Sequence, residues 1–167
     1  MQADMASQFE MQVNEHRKIL YKVCNVYCTN PHDREDLAQE ILAQLWRSYG
    51  SFDGRCLFST WMYRVALNTA ITFTRREFTR KRYVISVEER LLLSVPVRPT
   101  DSEDLRLLYE LIDGLDPLDK ALVLLYLDGN SYQEIAEVLG ITSTNVATKL
   151  NRLKETLKER LERTGAR

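Results

Sequence analysis

The stretch Ser131-Tyr-Gln-Glu-Ile-Ala-Glu-Val-Leu-Gly140-Ile-Thr-Ser-Thr-Asn-Val146 leaves the backbone few options. Ser131 and Glu134 stand three apart ahead of an apolar run, the spacing of a capping box that opens a helix. Gly140 then supplies a residue that tolerates positive φ, and short polar residues from Thr142 to Asn145 open a second helix. Two helices across so short a turn pack closely only around a small residue in the first and an apolar one in the second. Ala136 and Val146 meet those needs, with Ile135, Leu139, Ile141 and Leu150 as the expected core. Residues 131–160 are therefore read as a helix-turn-helix. A plain helical hairpin would need neither the polar set Thr142, Ser143, Thr144, Asn145 and Thr148 nor the run Lys149, Asn151, Arg152 and Lys154. Asn and Arg contact adenine and guanine edges bidentately, whereas Ser, Thr and Lys reach phosphates.

The other periodic segments are helical too, so an all-α fold of two small helical domains joined by a flexible linker is expected. Residues 5–28 put Phe9, Val13, Leu20 and Cys24 near one stripe. Thr29-Asn30-Pro31 breaks that helix. Asp33 reads as the next N-cap, with Asp36 at N3 and Leu37, Ile41, Leu45 and Trp46 at helical spacing up to Tyr49; Gly50 reads as the C′ residue. A third helix over 59–83 carries Trp61, Val65, Leu67 and Ile71 and ends in Arg75, Arg76, Arg80, Lys81 and Arg82. Residues 84–102 lose the period and hold Pro96 and Pro99. They are read as a linker, with a short helical turn at Val87–Leu93, between domains 1–83 and 103–167. Beyond it, Asp101 or Ser102 opens a helix to Asp113, and Asp116-Pro117 opens another that ends near Asp128-Gly129-Asn130.

Net charge is −1, but it is unevenly spread. Residues 1–83 hold 12 Lys/Arg against 9 Asp/Glu, residues 103–140 hold 2 against 9, and residues 141–167 hold 7 against 3. Non-specific affinity for DNA scales with the phosphates neutralised. A chain polarised in this way would grip duplex weakly alone and depend on a larger partner. No apolar run approaches the roughly 20 residues of a membrane span. Met1 to Glu10 lacks a signal-peptide pattern, so a cytoplasmic protein without membrane insertion is expected. Cys24, Cys28 and His32 would share a face of an unbroken helix, but Pro31 ends the helix first. The two cysteines read as core residues, and no metal site is expected. No Ser/His/Asp set, acid pair or phosphate loop is evident; His16 and His32 read as surface residues, and neither catalytic residues nor a cofactor is expected.

Several motifs then occur in order. Asp36-Leu-Ala-Gln-Glu40 precedes Leu45-Trp46, Phe52, Phe58-Ser-Thr-Trp61-Met-Tyr-Arg-Val-Ala-Leu-Asn68 and Arg75-Arg76; Leu115-Asp-Pro-Leu-Asp119 and Gly129 to Gly140 follow. The first group resembles the promoter-melting domain of bacterial RNA polymerase sigma factors, and the second their promoter-reading C-terminal domain. The short linker resembles the two-domain extracytoplasmic-function (ECF) group of the sigma-70 family. The resemblance covers about residues 10–162. It implies an alternative sigma factor, not an enzyme, whose partners are core RNA polymerase (β′ clamp helices and β flap), promoter DNA and an anti-sigma factor.

Position by position, the resemblance implies that Asp36, Gln39, Glu40, Leu45 and Trp46 dock on the polymerase. The loop from Ser51 to Phe58 would capture a base flipped from the −10 element, with Asn68 at the pocket wall. Phe52, Phe58, Trp61 and Tyr63 would supply stacking surfaces, and Arg64, Arg75 and Arg76 would hold phosphates. Extruding a base costs a few kcal/mol, so such surfaces are needed. Asn145, Ala147, Thr148, Asn151 and Arg152 would read the −35 element, with Lys149 on the backbone. The chain departs from the family pattern at Thr72, where an acid is common, and at Lys149, where Arg is usual; Cys56 in the capture loop is also unusual. The residues alone leave a second reading open: a self-contained regulator whose first 83 residues dimerise or sense a ligand.

Overall fold

The computed structural model describes residues 2–84 and 102–165. Eight α-helices lie among the described residues: α1 (Gln2–Glu15), α2 (Arg17–Tyr27), α3 (Pro31–Tyr49), α4 (Phe58–Val84), α5 (Glu103–Asp113), α6 (Pro117–Leu127), α7 (Tyr132–Leu139) and α8 (Ser143–Gly165). The chain divides into two compact units, Met1–Val97 and Arg98–Arg167. Residues 85–101, which hold most of the expected linker and the turn at Val87–Leu93, lie outside the described residues.

In the first unit α2, α3 and α4 pack on one another. Leu37, Ile41 and Leu45 recur every fourth residue along α3 and are fully buried. Met62, Ala66 and Ala70 do the same along α4, where the small alanines allow close approach of a neighbouring helix. The expected single helix over 5–28 is two. His16 sits at φ −104°, ψ 16°, and its ring Nδ1 lies 2.9 Å from the Gln12 carbonyl oxygen that its own backbone N–H also uses. The break changes the register: Ile19 and Val23 enter the core, while Phe9 and Leu20 are only half-buried. His16 is itself half-buried, its ring 5.3 Å from that of Phe58.

Two expected caps are also corrected. The N-cap of α3 is Asn30, not Asp33; Asn30 Oδ1 accepts from the His32 N–H at 2.8 Å, and Pro31 occupies the first turn, where it lacks no needed donor. Gly50 takes a right-handed conformation (φ −62°, ψ −18°). The helix end is tightened instead by the Ser51 and Phe52 N–H groups, which donate to Ser48 and Tyr49 carbonyls at 3.0 Å. The left-handed glycine of this loop is Gly54 (φ 73°).

In the second unit α5 and α7 pack on α6, and α5, α6 and α7 all meet α8. The capping box forms as expected: Ser131 Oγ accepts from the Glu134 N–H at 3.2 Å, and Glu134 accepts from the Ser131 N–H at 2.6 Å. Hydrogen bonding from the Ser131 N–H, and then from its hydroxyl, lowers the pKa of the Glu134 carboxyl. Gly140 is left-handed (φ 67°), and its N–H donates to the Ala136 carbonyl at 2.9 Å. Ala136, Ile135, Val146 and Leu150 are buried as expected. Leu139 and Ile141 are only half-buried, and Val138 and Leu153 complete the core in their place. At the far end of α8, Arg160 donates to the carbonyls of Leu111 (3.2 Å) and Gly114 (3.5 Å) and so ties α8 to the end of α5. A side chain at position 114 would meet Arg160 Nη1 at 2.9 Å.

The turn gives the first prediction. A Cβ on Gly140 would touch nothing, so its substitution isolates the left-handed backbone. Gly140→Ala is expected to destabilise the second unit by about 1–2 kcal/mol, measured by denaturant unfolding of the full chain.

Candidate nucleic-acid and polymerase interface

The N-terminal half of α8 separates two sets of side chains cleanly. Val146, Leu150 and Leu153 point into the unit, while Asn145, Thr148, Asn151 and Arg152 are exposed. Thr142 Oγ1 accepts from the Asn145 N–H at 3.1 Å and caps the helix start. Ala147 and Lys149 are half-buried. Lys149 lies near Asp119 and opposes the rise that burial imposes on that carboxyl. Lys154 does not face the same way as the readers. Its ammonium sits 4.4 Å from the centre of the Tyr126 ring, and hydrogen bonding to Tyr126 raises its pKa.

In the first unit the structure redistributes the expected residues. Asp36 and Gln39 are exposed on α3, Glu40 is half-buried, and Trp46 is 43% exposed with an edge contact to Phe9 at 5.1 Å. Leu45 is fully buried, so it holds the core and presents nothing to a partner. Phe52, Phe58 and Trp61 form one aromatic cluster with centroids 5.1–5.7 Å apart. Phe58 and Trp61 are 8% exposed and Tyr63 4%, so three of the four expected stacking rings are core residues; only Phe52 keeps an accessible face. α4 starts at Phe58, and Phe58 and Trp61 turn inward against Tyr49. Ser51 lies exposed in the loop, its hydroxyl bonded to the Ser48 carbonyl at 2.7 Å.

Asn68 lies elsewhere than the aromatic loop. It lines a groove of about 400 Å³ between α3 and α4, together with Glu40, Gln44, Arg47, Ser48, Val65, Thr69 and Thr72. Arg64 is half-buried and Arg75 exposed. Arg76 forms a bidentate pair with Glu40, at 2.8 and 3.2 Å, and lies 5.4 Å from the centre of the Phe73 ring. The expected docking and phosphate sets thus share one ion pair. Gln44 and Arg47 escaped the sequence reading. Their spacing from Glu40 puts them on its face of α3, but their meeting with Asn68 depends on how α3 and α4 pack.

Cys24 and Cys28 are buried and Cys56 is partly exposed. Cys28 ends α2, so His32 belongs to another helix; among the described residues no three metal-ligating side chains converge. No helix among them is long and apolar enough to cross a membrane.

Residues 12–79 match the family model for sigma-70 region 2, and residues 105–157 match that for sigma-70 region 4. The RNA polymerase sigma factor YlaC of Bacillus subtilis is 30% identical over 87% of this chain and 89% of its own length. The ECF RNA polymerase sigma-E factor of Escherichia coli K12 is 30% identical over 78% of this chain and 74% of its own. This chain belongs to the ECF group of the sigma-70 family. It is an alternative sigma factor that directs transcription initiation, and its partners are core RNA polymerase and promoter DNA. The match at 12–79 falls within the first unit and the match at 105–157 within the second. The fold is also that of the sigma factor RpoE, solved with the anti-sigma factor NepR from Bartonella quintana (TM-score 0.74, 21% identity, 93% of this chain and 97% of that one).

Burial divides the cysteines of this sigma factor by reactivity. It pushes the Cys24 thiol up to about 11, so only about a thousandth is thiolate at pH 8. Cys56 is expected to be alkylated by iodoacetamide well before Cys24 in the native protein, read by peptide mass spectrometry.

Proposed function

We propose that the two units divide promoter recognition. The second unit reads the −35 element as duplex through Asn145, Ala147, Thr148, Asn151 and Arg152, with Lys149 toward the backbone, and meets the β flap. The first unit docks on the β′ clamp helices through Asp36, Gln39, Glu40 and Trp46, and takes hold of the opened −10 strand. Ser51, Phe52 and Asn68 contact bases there, and Arg64, Arg75 and Arg76 hold phosphates. The buried Phe58, Trp61 and Tyr63 position the loop rather than stack on a base. The chain carries no chemistry of its own; bond-making belongs to the polymerase.

The observation that carries this reading is the two-faced start of α8, with exposed amide and guanidinium groups opposite a fully buried apolar row. Amide and guanidinium groups match adenine and guanine edges in the major groove. An anti-sigma factor is the fitting regulator. The similar solved structures each hold a second protein: the sigma factor RpoE is bound to the anti-sigma factor NepR, and CnrH to the cytosolic domain of CnrY. This chain leaves the side chains of Tyr21, Leu57 and Phe78 62–71% exposed on its first unit, each available to such a partner.

The test is a selection. Core polymerase loaded with the full chain is offered promoter forks randomised at both elements, and the base preferences are read by sequencing. Asn151→Ala and Arg152→Ala are each expected to flatten the preference at a −35 position by about 1–3 kcal/mol and to leave the −10 profile intact. Unchanged −35 preferences in both variants would falsify the division of labour.

A further inference from the structure

The two arms of the helix-turn-helix, α7 and α8, meet at Gly140, and near that turn their spacing is set by the buried Ala136 and Val146. Farther from the turn, a small change of crossing angle moves each arm by more. A contact far out along the arms therefore has the greater leverage on that angle. Lys154 makes such a contact. It lies roughly 16 Å along α8 from Ser143, at 1.5 Å of rise per residue. Tyr132 opens α7 at the end away from the turn. Tyr126, near the end of α6, joins the two: the Lys154 ammonium sits 4.4 Å from the centre of its ring, and the Tyr126 and Tyr132 ring centres are 6.4 Å apart. Hydrogen bonding to Tyr126 raises the Lys154 pKa, and Tyr132 adds to the rise. Lys154 and Tyr126 are both exposed, so the cluster lies outside the core that Leu150 and Leu153 form beneath it.

We infer that Lys154 is a positioning residue for promoter reading: held on Tyr126 and, through it, Tyr132, it braces α8 against α6 and α7 and fixes the angle at which Asn151 and Arg152 meet the duplex. The inference rests on the −35 reading of α8 given above. In a helix-turn-helix the second helix lies in the major groove while the first crosses the backbone, so their mutual angle decides how deeply the readers reach. A cation is attracted to the negative face of an aromatic ring, and the attraction survives at exposed sites. The brace differs from a direct contact in what its loss does. Losing a base contact lowers discrimination at one position. Losing a phosphate contact weakens binding to every sequence alike and lessens the salt dependence. Losing the brace blurs all the −35 positions together, because the readers move with their helix, and leaves the number of neutralised phosphates as it was.

Core polymerase carrying the full chain, or its Lys154→Met, Lys154→Arg, Tyr126→Leu or Lys154→Met/Tyr126→Leu variant, selects promoter forks randomised at the −35 element. The salt dependence of fork binding and the unfolding midpoint are measured for each. Lys154→Met is expected to lose roughly 3-fold of the discrimination at every −35 position that the wild-type chain reads, with the salt slope and the −10 profile intact. Lys154→Arg, whose guanidinium also stacks on an aromatic face, should keep the discrimination. The double variant should be no worse than the poorer single one, because both changes remove the same contact. Where Tyr126→Leu lowers the unfolding midpoint, the comparison of Lys154→Met with Lys154→Arg decides. Undiminished discrimination in Lys154→Met, a loss confined to one position, a salt slope reduced by about one phosphate, or no rescue by Lys154→Arg would each overturn the inference. If the wild-type chain shows no −35 preference, the −35 reading falls and takes this inference with it.

Discussion

The close packing of α3 against α4 is the constraint on which the first unit depends. Leu37, Ile41 and Leu45 are wholly inside, as are Met62, Ala66 and Ala70, so neither row has slack. Truncating one buried leucine to alanine removes about 2–5 kcal/mol, a large share of the 5–15 kcal/mol that holds a domain folded. The same apposition sets what lies outside it. With the apolar rows turned inward, Glu40, Gln44 and Arg47 face Asn68, Thr69 and Thr72 across a shared groove. The polar surface of this unit is thus a by-product of how its core closes.

The second unit was largely legible before any coordinates. Its signals are local: the Ser131–Glu134 box, the left-handed Gly140 and the small Ala136 each act within a few residues. Local rules left only the finer register open, and there Val138 and Leu153 took the places expected for Leu139 and Ile141. The first unit was harder because its decisive features act over distance or through one side chain. One expected helix is two, broken at His16, whose ring and backbone N–H both lie against the Gln12 carbonyl. The aromatic residues of the capture loop carry the right chemistry for stacking, but the same chemistry suits a core, and packing against Tyr49 decided it. Gln44 and Arg47 belong to a site only because α4 lies alongside them.

The Glu40–Arg76 pair links two surfaces that the sequence lists separately. Each partner is an expected contact for a different macromolecule, and in the free chain each occupies the other. Arg76 is exposed and Glu40 half-buried, so the pair is partly open to solvent and is weakened by salt. It neutralises a carboxylate that lines the groove between α3 and α4. Arg76 also lies 5.4 Å from the centre of the Phe73 ring, a second contact that holds its position.

The division of α8 into inner and outer rows has a further consequence for how such a protein diverges. Val146, Leu150 and Leu153 carry the packing, whereas Asn145, Thr148, Asn151 and Arg152 carry none of it. Exposed substitutions away from special backbone features usually change stability by no more than about 0.5 kcal/mol. The outer row is therefore free to be rewritten while the domain stays folded. A duplicated copy of this chain could acquire a new set of target genes through a few surface exchanges, with its scaffold and its hold on the polymerase inherited intact.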